Sequence, residues 1–342
     1  MHRRHASGNS EEGNSVEIAI QATGLGKRYG QTRALDGVGL EVRTGTVLGL
    51  LGHNGAGKTT TVRILATLLE PDSGSARVAG FDVVREPREV RRRIGLAGQY
   101  AAVDELLTGR ENLALLGTLL KLGRRRARSR AEELLASFEL EQAADRPVRT
   151  YSGGMRRRLD LAACLISSPQ VLFLDEPTTG LDPASRMALW RMVREQVELG
   201  VTVLLTTQYL EEADSLADRI MVFGSGQVLA EGTADELKRK VGQEWLEISL
   251  PEGGDATGSA LDQAVSALAP VSASAPTVDA SSRTVALPVG ADRTGTIAAS
   301  AAALEARGVE VADFALRRPS LDDVFFQLTG EQTPVSTSEE KS

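Results

Sequence analysis

Cysteine is almost absent from this chain of 342 residues, since Cys164 is the only one. A single cysteine excludes an intrachain disulfide and is typical of a reducing compartment. Cys164 lies in an apolar, helix-forming stretch, so we expect a small core residue and not a nucleophile. Long hydrophobic runs are also missing, because no window approaches the roughly 18 apolar residues of a membrane helix. We therefore expect the chain to stay in the cytoplasm.

Basic charge is not in excess either. The net charge is −7, whereas a general nucleic-acid binder normally has a surplus of lysine and arginine. We therefore expect no nucleic acid among its partners. Histidine is scarce, and apart from His2 and His5 near the start of the chain only His53 is present.

The most informative stretch that is present is a complete Gly-x-x-x-x-Gly-Lys-Thr pattern. It consists of Gly52, His53, Asn54, Gly55, Ala56, Gly57, Lys58 and Thr59. An apolar run, 46–51, precedes it, and residues 60–69 have helical apolar spacing, which is the strand, loop and helix order that a phosphate loop needs. Glycine lets successive N–H groups turn toward one anion at a helix N-terminus. The pattern predicts that these residues and Thr60 bind a nucleotide, with Lys58 on the outer phosphates and Thr59 on Mg²⁺.

Two adjacent carboxylates follow a second apolar run. Residues 171–174 have the composition of a buried parallel strand, and Asp175 and Glu176 come directly after them. Carboxylates at the end of a buried strand are costly unless they serve an ion or a proton transfer. We assign Asp175 to Mg²⁺ and Glu176 to the orientation and deprotonation of an attacking water. A further buried strand, 201–207, ends at Gln208.

A second possible anion site is the turn formed by Ser152, Gly153 and Gly154, which opens a helix. Taken alone, it would be an ordinary helix start. A nucleotide held only by the phosphate loop leaves one side of its γ-phosphate in water, and a second helix N-terminus would supply the missing donors. The chain has one copy of each half-site, so a two-fold dimer would build two complete sites.

Tyr29 lies between two stretches that alternate in the manner of strands. An aromatic ring here could stack on adenine. Packing of the ring on an edge strand is the alternative that the sequence leaves open.

The order of elements predicts an α/β fold with a mostly parallel sheet covered on both faces. A helical block, about 104–168, interrupts this pattern as an insertion, and Thr108 and Glu111 in it have capping-box spacing. Residues 16–242 form the first predicted domain. Residues 243–330 predict a small α+β domain, and 1–15 and 331–342 predict disordered tails.

The last predicted helix has an apolar stripe of Leu321, Val324, Phe325 and Leu328. Such a stripe needs a partner surface. One interpretation is a C-terminal domain that helps to hold two subunits together, and the other is packing inside its own domain.

These motifs follow one another in the order found in the ATP-binding subunits of ABC transporters, which the chain resembles over about residues 16–240. The resemblance implies a phosphate-loop ABC ATPase domain that binds ATP and Mg²⁺ in a homodimer. It implies that Tyr29 stacks on adenine, that Gln99 senses Mg²⁺ and the membrane partner, and that residues 152–154 close over the γ-phosphate bound to the opposite subunit. The implied partners are a second copy and an integral membrane permease subunit, so the chain would sit on the inner face of the membrane.

The chain is more specifically similar to the daunorubicin/doxorubicin-resistance type of this subunit. The similarity rests on residues 98–101, 150–160, 206–210 and 320–325. That type has glutamine at the position of Gln208, where other members have histidine. Glutamine cannot exchange a proton near neutral pH. Glu176 would therefore supply the base, and Gln208 would only position phosphate or water by a hydrogen bond. The similarity implies export of a drug or antibiotic.

Other readings remain possible for the same motifs. They include export of a lipid or polysaccharide, and a soluble ABC protein acting on ribosomes or DNA, although a second ATPase domain and long coiled coils are missing. A small-molecule kinase or GTPase would need Lys58 and Asp175 but not the turn at Ser152. A regulatory module without turnover is disfavoured by Glu176.

Overall fold

The structure is a computed structural model that describes residues 17–98, 103–241, 244–251, 259–272, 276–279, 281–289, 292–317 and 320–329. The predicted tails and Gln99 lie outside these residues. The chain divides into two compact units, Met1–Leu229 and Ala230–Ser342. The domain boundary predicted after residue 242 lies C-terminal to this division.

The first unit contains ten strands and seven α-helices among its described residues, the last strand crossing the division. The strands are β1 (Ile18–Tyr29), β2 (Thr32–Arg43), β3 (Val47–Leu51), β4 (Ser73–Val78), β5 (Phe81–Asp82), β6 (Ile94–Ala97), β7 (Val171–Asp175), β8 (Thr202–Thr207), β9 (Arg219–Gly224) and β10 (Gln227–Gly232). The helices are α1 (Lys58–Leu65), α2 (Pro87–Arg91), α3 (Gly109–Leu119), α4 (Arg124–Ser137), α5 (Gly153–Cys164), α6 (Pro183–Glu198) and α7 (Leu210–Leu216).

These strands form two sheets. The larger sheet has the order β10-β9-β3-β8-β7-β6, and β6, β7, β8, β3 and β9 pair in parallel. The smaller sheet has the order β2-β1-β4-β5 and is antiparallel. The mostly parallel sheet is therefore confirmed, and the antiparallel sheet beside it was not predicted. In the parallel sheet the carboxyl ends of β3, β7 and β8 share one edge, which brings distant segments of the chain together.

The strands of the parallel sheet are buried on both faces. Every residue of β3, β7 and β8 is buried, as their near-continuous apolar sequences require. One apolar cluster contains Val47, Leu172 and Leu205, and a second contains Leu48, Phe173 and Leu204. Alternate residues of each strand thus enter different clusters, so the sheet is fixed from both sides.

The helical insertion comprises α3, α4 and α5 with two short 3₁₀ turns, Glu141–Ala143 and Val148–Thr150. The predicted capping box is present at the start of α3. Thr108 accepts from the backbone N–H of Glu111, and the Glu111 carboxylate accepts from the N–H of Thr108. The Tyr151 hydroxyl donates to the carbonyl of Ala143 at 2.7 Å and ties the segment before α5 to the first 3₁₀ turn.

The second unit contains an antiparallel sheet with helices. Its elements are α8 (Ala234–Val241), β11 (Trp245–Ser249), α9 (Ser259–Leu268), β12 (Thr277–Asp279), β13 (Thr284–Pro288), α10 (Arg293–Glu305), β14 (Asp313–Arg317) and α11 (Leu321–Thr329), and the sheet order is β12-β13-β11-β14. The predicted α+β class is present. The sequence did not predict the three-residue strand β12.

The apolar stripe of α11 is partly covered within its own unit. The helix begins after Ser320, whose hydroxyl accepts from the N–H of Asp323 at 3.2 Å, as a Ser cap predicts. Leu321 and Val324 are buried, and α11 packs against α8. Of the two interpretations of the stripe, packing inside its own unit is the one that these contacts support.

Within the described ranges, no helix combines the length and the apolar character needed to cross a bilayer. Cys164 ends α5, and its thiol donates to the carbonyl of Leu96 at 3.0 Å. Burial raises the pKa of this thiol to about 12. The thiolate is therefore disfavoured, in agreement with a structural role.

The nucleotide site

The phosphate loop connects β3 to α1 in a geometry that only glycine permits at two points. Gly57 has φ = 110° and caps α1, and a Cβ there would lie 2.7 Å from the carbonyl oxygen of Ala34. A Cβ on Gly52 would lie 2.7 Å from the carbonyl oxygen of Phe223. The loop is thus pressed against its neighbours, and the bare backbone faces the helix N-terminus.

An open cavity of about 380 Å³ lies over this loop. Its lining residues are Tyr29, Thr32, Ala34, His53, Asn54, Gly55, Gly57, Lys58, Thr59, Thr60 and Glu176. The loop residues Gly52 and Ala56 are buried beneath it. Tyr29 lines the cavity and is 47% exposed. The exposed ring is therefore free to stack on a planar base.

Lys58 is buried although it carries a charge. Its ammonium donates to the carbonyl oxygens of Gly52 and His53, at 2.5 and 3.0 Å, and lies 3.8 Å from Glu176 Oε1. Burial lowers the pKa of Lys58, and the charges of Glu176 and Asp175 oppose that effect. The ammonium is held by weak acceptors at the mouth of the cavity, so an incoming phosphate would find a dehydrated cation.

Thr59 and Asp175 come together as the sequence predicts for a Mg²⁺ site. The Thr59 hydroxyl donates to Asp175 Oδ1 at 3.1 Å, and the buried Thr206 hydroxyl donates to the same oxygen at 2.6 Å. Among the described residues no group of three or more His, Cys, Asp or Glu side chains could hold a metal. The hydroxyl oxygen of Thr59 and the carboxylate of Asp175 suit Mg²⁺, which is usually bound by one or two protein ligands together with phosphate and water oxygens.

Glu176 has a left-handed backbone, with φ = 51°. Such a conformation costs a residue other than glycine about 1–3 kcal/mol and persists only where the surroundings impose it. Here the N–H of Glu176 donates to both the carbonyl and the hydroxyl oxygen of Thr206, each at 3.1 Å. The backbone of the predicted base is therefore fixed by the adjacent strand β8, and its side chain lines the cavity.

The turn at residues 152–154 lies outside this cavity in its own chain. The Ser152 hydroxyl accepts from the N–H of Met155 at 3.2 Å and caps α5. A Cβ on Gly153 would meet no atom within 4 Å, whereas one on Gly154 would lie 2.5 Å from Ser185 Oγ. The structure thus presents Gly153 at an open helix tip and does not bring it to the phosphate loop of the same molecule.

Gln208 follows β8 directly, at the sheet edge that also carries Asp175 and Glu176. Its side chain is half-buried and is not among the residues that line the cavity. Gln99, predicted to sense Mg²⁺, lies outside the described residues.

Three residues that contact the site were missed by sequence reasoning. Thr206 bridges Asp175 and Glu176, Arg157 donates to the backbone beside Glu176, and Glu212 lies buried in α7. The sequence signals that could have identified these residues are weak. They are one threonine in an apolar strand, one arginine in a run of three, and one glutamate in the acidic first turn of a helix.

Glu212 is fully buried, and the indole N–H of Trp190 donates to its Oε1 at 3.1 Å. Burial raises the pKa of Glu212, and the side chains of Thr207, Trp190 and Thr178 partly offset that rise. Thr207 ends the strand before Gln208, and Thr178 follows Glu176 closely. Burial therefore disfavours the charged form of this carboxyl.

We expect Glu212→Gln to stabilise the protein at alkaline pH more than at acidic pH. A raised folded-state pKa gives stability that is complete below the ordinary value of 4.5 and is lost as the pH rises through the folded-state pKa. Glutamine has no such loss. Thermal unfolding at pH 5 and pH 8 should show a difference in Tm between variant and wild type that grows with pH.

The matched control is Glu211→Gln, which changes an exposed carboxylate on the same helix. Its effect on Tm should be smaller and should not grow between the two pH values. An equal effect of Glu212→Gln at both pH values would contradict the role of burial.

Together, the fold and the site define an ATPase of the ABC class. The sequence profile of the ABC transporter family matches residues 35–179. The ATP-binding subunit of an ABC transporter, at 29% identity, superposes with a TM-score of 0.59 over 65% of this chain and 92% of its own. A dimeric ATP-binding cassette bound to ADP and phosphate, at 27% identity, gives 0.57 over 63% and 98%.

Relatives that are similar in sequence indicate which family of ABC ATPases this chain belongs to. A daunorubicin resistance ATP-binding protein of Streptomyces coeruleorubidus is 55% identical over 94% of this chain and 98% of its own. A daunorubicin/doxorubicin resistance ATP-binding protein of Streptomyces peucetius is 50% identical over 94% and 96%. A Nod factor export ATP-binding protein of Ralstonia nicotianae is 38% identical over 92% and 94%. The chain belongs to the daunorubicin/doxorubicin-resistance family of ABC ATP-binding proteins, and it binds and hydrolyses ATP.

Proposed function

We propose that this chain is the motor subunit of a drug exporter. It hydrolyses Mg²⁺-bound ATP at two composite sites of a homodimer and drives efflux of a drug or antibiotic through a separate integral membrane permease. It works on the cytoplasmic face of that permease. The observation that carries the cargo class is similarity to daunorubicin resistance proteins over 94% of the chain.

The residues of one chain divide the work at the phosphates. Lys58 and the backbone of the phosphate loop bind and orient the triphosphate, and Tyr29 stacks on its base. Thr59 and Asp175 would hold Mg²⁺, which supplies charge neutralisation when it is bound. Glu176 accepts the proton of the attacking water, and Gln208 positions by hydrogen bonding because an amide exchanges no proton near neutral pH.

The composite site rests on the turn at Ser152. This turn lies outside the cavity of its own chain, and the space around Gly153 is open to another molecule. The similar ATP-binding cassette bound to ADP and phosphate is a dimer. A second copy would therefore supply the donors that the phosphate loop lacks on one side.

A second candidate cargo is a lipid or polysaccharide. It is favoured by the relative named for Nod factor export, which is 38% identical over 92% of the chain. The drug is preferred because the resistance proteins reach 55% identity over 94%.

The cargo is tested in a drug-sensitive host that produces this chain together with a candidate membrane permease from the same genome. We expect the pair to raise the daunorubicin concentration that stops growth and to lower drug fluorescence inside the cells. The permease with Glu176→Gln is the matched control and should give no resistance. Unchanged sensitivity, with both proteins present and ATP hydrolysis intact, would contradict drug export.

A further inference from the structure

Arg157 holds together three segments that are far apart in the sequence. It lies in the first turns of α5, five residues after Ser152, and its guanidinium donates to the carbonyl oxygens of Pro177, Gly98 and Glu176 at 2.6, 2.8 and 3.4 Å. One planar group thus joins α5 to the residue after β6 and to the turn after β7. A guanidinium suits this task because its donors point in fixed directions.

The environment of Arg157 is unusual for a cation. Burial lowers the pKa of the guanidinium, and the nearby charge of Asp160 opposes that effect. All three of these hydrogen bonds go to backbone carbonyls. A half-buried charge that donates to backbone oxygens fixes the positions of those oxygens.

The oxygens that Arg157 holds belong to the strained part of the site. Glu176 has φ = 51°, and Thr206 binds its N–H from the side of β8. Arg157 binds the carbonyl oxygens of Glu176 and Pro177 from the side of α5. The left-handed residue is therefore clamped at both of its peptide groups, and the clamp is shared with Gly98.

We propose that Arg157 is a positioning residue, which holds the Glu176 backbone so that its carboxylate stays aimed into the cavity and couples that backbone to the segment at Gly98. The inference rests on the proposed role of Glu176. The three hydrogen bonds of Arg157 go to Pro177, Gly98 and Glu176, and of these only Glu176 lines the cavity, so they give Arg157 no direct part in holding phosphate.

The two neighbouring arginines provide matched controls. Arg156 pairs with Glu105 at 3.0 Å, and Arg158 contacts Glu139 and the carbonyl of Phe138 at 3.1 and 3.3 Å. Neither contact reaches the backbone around Glu176. Arg156→Ala removes the same charge from the same helix turn and should leave turnover near the wild-type value.

The experiment measures ATP hydrolysis and ATP affinity for Arg157→Ala, Arg157→Lys and Arg156→Ala. Misplacing a reacting group by about 1 Å can cost on the order of 10²-fold in rate. We expect Arg157→Ala to lower kcat by about 10- to 100-fold with KM and the Kd for ATP within about two-fold of wild type. The kcat of Arg157→Lys should lie between those of Arg157→Ala and the wild type, because an ammonium cannot bridge three carbonyls in fixed directions.

A double variant separates positioning from a merely structural role. If Arg157 acts through Glu176, adding Arg157→Ala to Glu176→Gln should not lower the residual rate further, because the group it positions is already gone. A structural role would lower ATP affinity and reduce the residual rate again. Should Arg157→Ala fail to fold, Arg157→Lys carries both measurements.

The outcomes distinguish the inference from the proposed function. Wild-type kcat in Arg157→Ala and Arg157→Lys, with Glu176→Gln inactive, would overturn the positioning role alone. Full activity of Glu176→Gln would overturn the role of the base, and the inference with it. A loss of ATP affinity in Arg157→Ala equal to its loss of kcat would also overturn the positioning role of Arg157.

Discussion

Replacing Glu176 with glutamine is expected to stop ATP hydrolysis almost completely while ATP still binds. The amide keeps the shape and the hydrogen bonds of the side chain but cannot take a proton from water. Loss of a general base costs about 10²- to 10⁴-fold in rate. Phosphate release and equilibrium binding of ATP, measured on the same preparation, would check both parts of this expectation.

Lys58→Ala is the matched comparison, because it should lose binding as well as turnover. With ATP held and not consumed, Glu176→Gln should also sediment as a dimer that disappears when ATP is removed. Hydrolysis that persists in Glu176→Gln would contradict its role. A rate that falls as a group with a pKa of about 6.5 is protonated, even after His53 is replaced, would instead indicate a histidine-like base.

The second large effect is expected from mixing two inactive variants. Lys58→Ala damages the phosphate loop, and Gly153→Asp places a carboxylate at the open helix tip, where no atom of its own chain lies within 4 Å of the new Cβ. Each variant alone should be inactive. In a mixture about half of the dimers would have one complete site, so about a quarter of the wild-type rate should return.

The control is a mixture of Lys58→Ala with Glu176→Gln. Lys58 and Glu176 belong to the same half of the site, the one that contains the cavity. Each of the two sites in a mixed dimer therefore carries one of the two defects, and no activity should return. Failure of Lys58→Ala and Gly153→Asp to complement each other, with mixed dimers present, would contradict a site shared between two chains. Normal hydrolysis by Gly153→Asp would remove the turn from the site altogether.

Patterns that act over a few residues were readable from the sequence. The phosphate loop, the caps at Thr108 and Ser152, and the buried strand before Asp175 each depend on neighbours in the chain, and the structure has them where they were predicted. The meeting of Thr59 and Asp175 also followed, because the ends of parallel strands share one sheet edge.

Contacts set by tertiary packing were not readable. Arg157 is one arginine among three, and only the approach of three carbonyls distinguishes it from Arg156 and Arg158. The left-handed backbone of Glu176 is imposed by Thr206, which lies on another strand. The three-residue strand β12 is too short to give a periodic signal, and it exists through its pairing with β13.

The hydrogen bond of Cys164 has a practical consequence for labelling. Its thiol, with a pKa near 12, should ignore maleimide and iodoacetamide reagents at neutral pH, since these reagents attack the thiolate. Because the chain has no other cysteine, the natural sequence already serves as a thiol-silent background. A fluorophore or spin label placed on an introduced surface cysteine would report from that single position without prior mutagenesis of the native thiol.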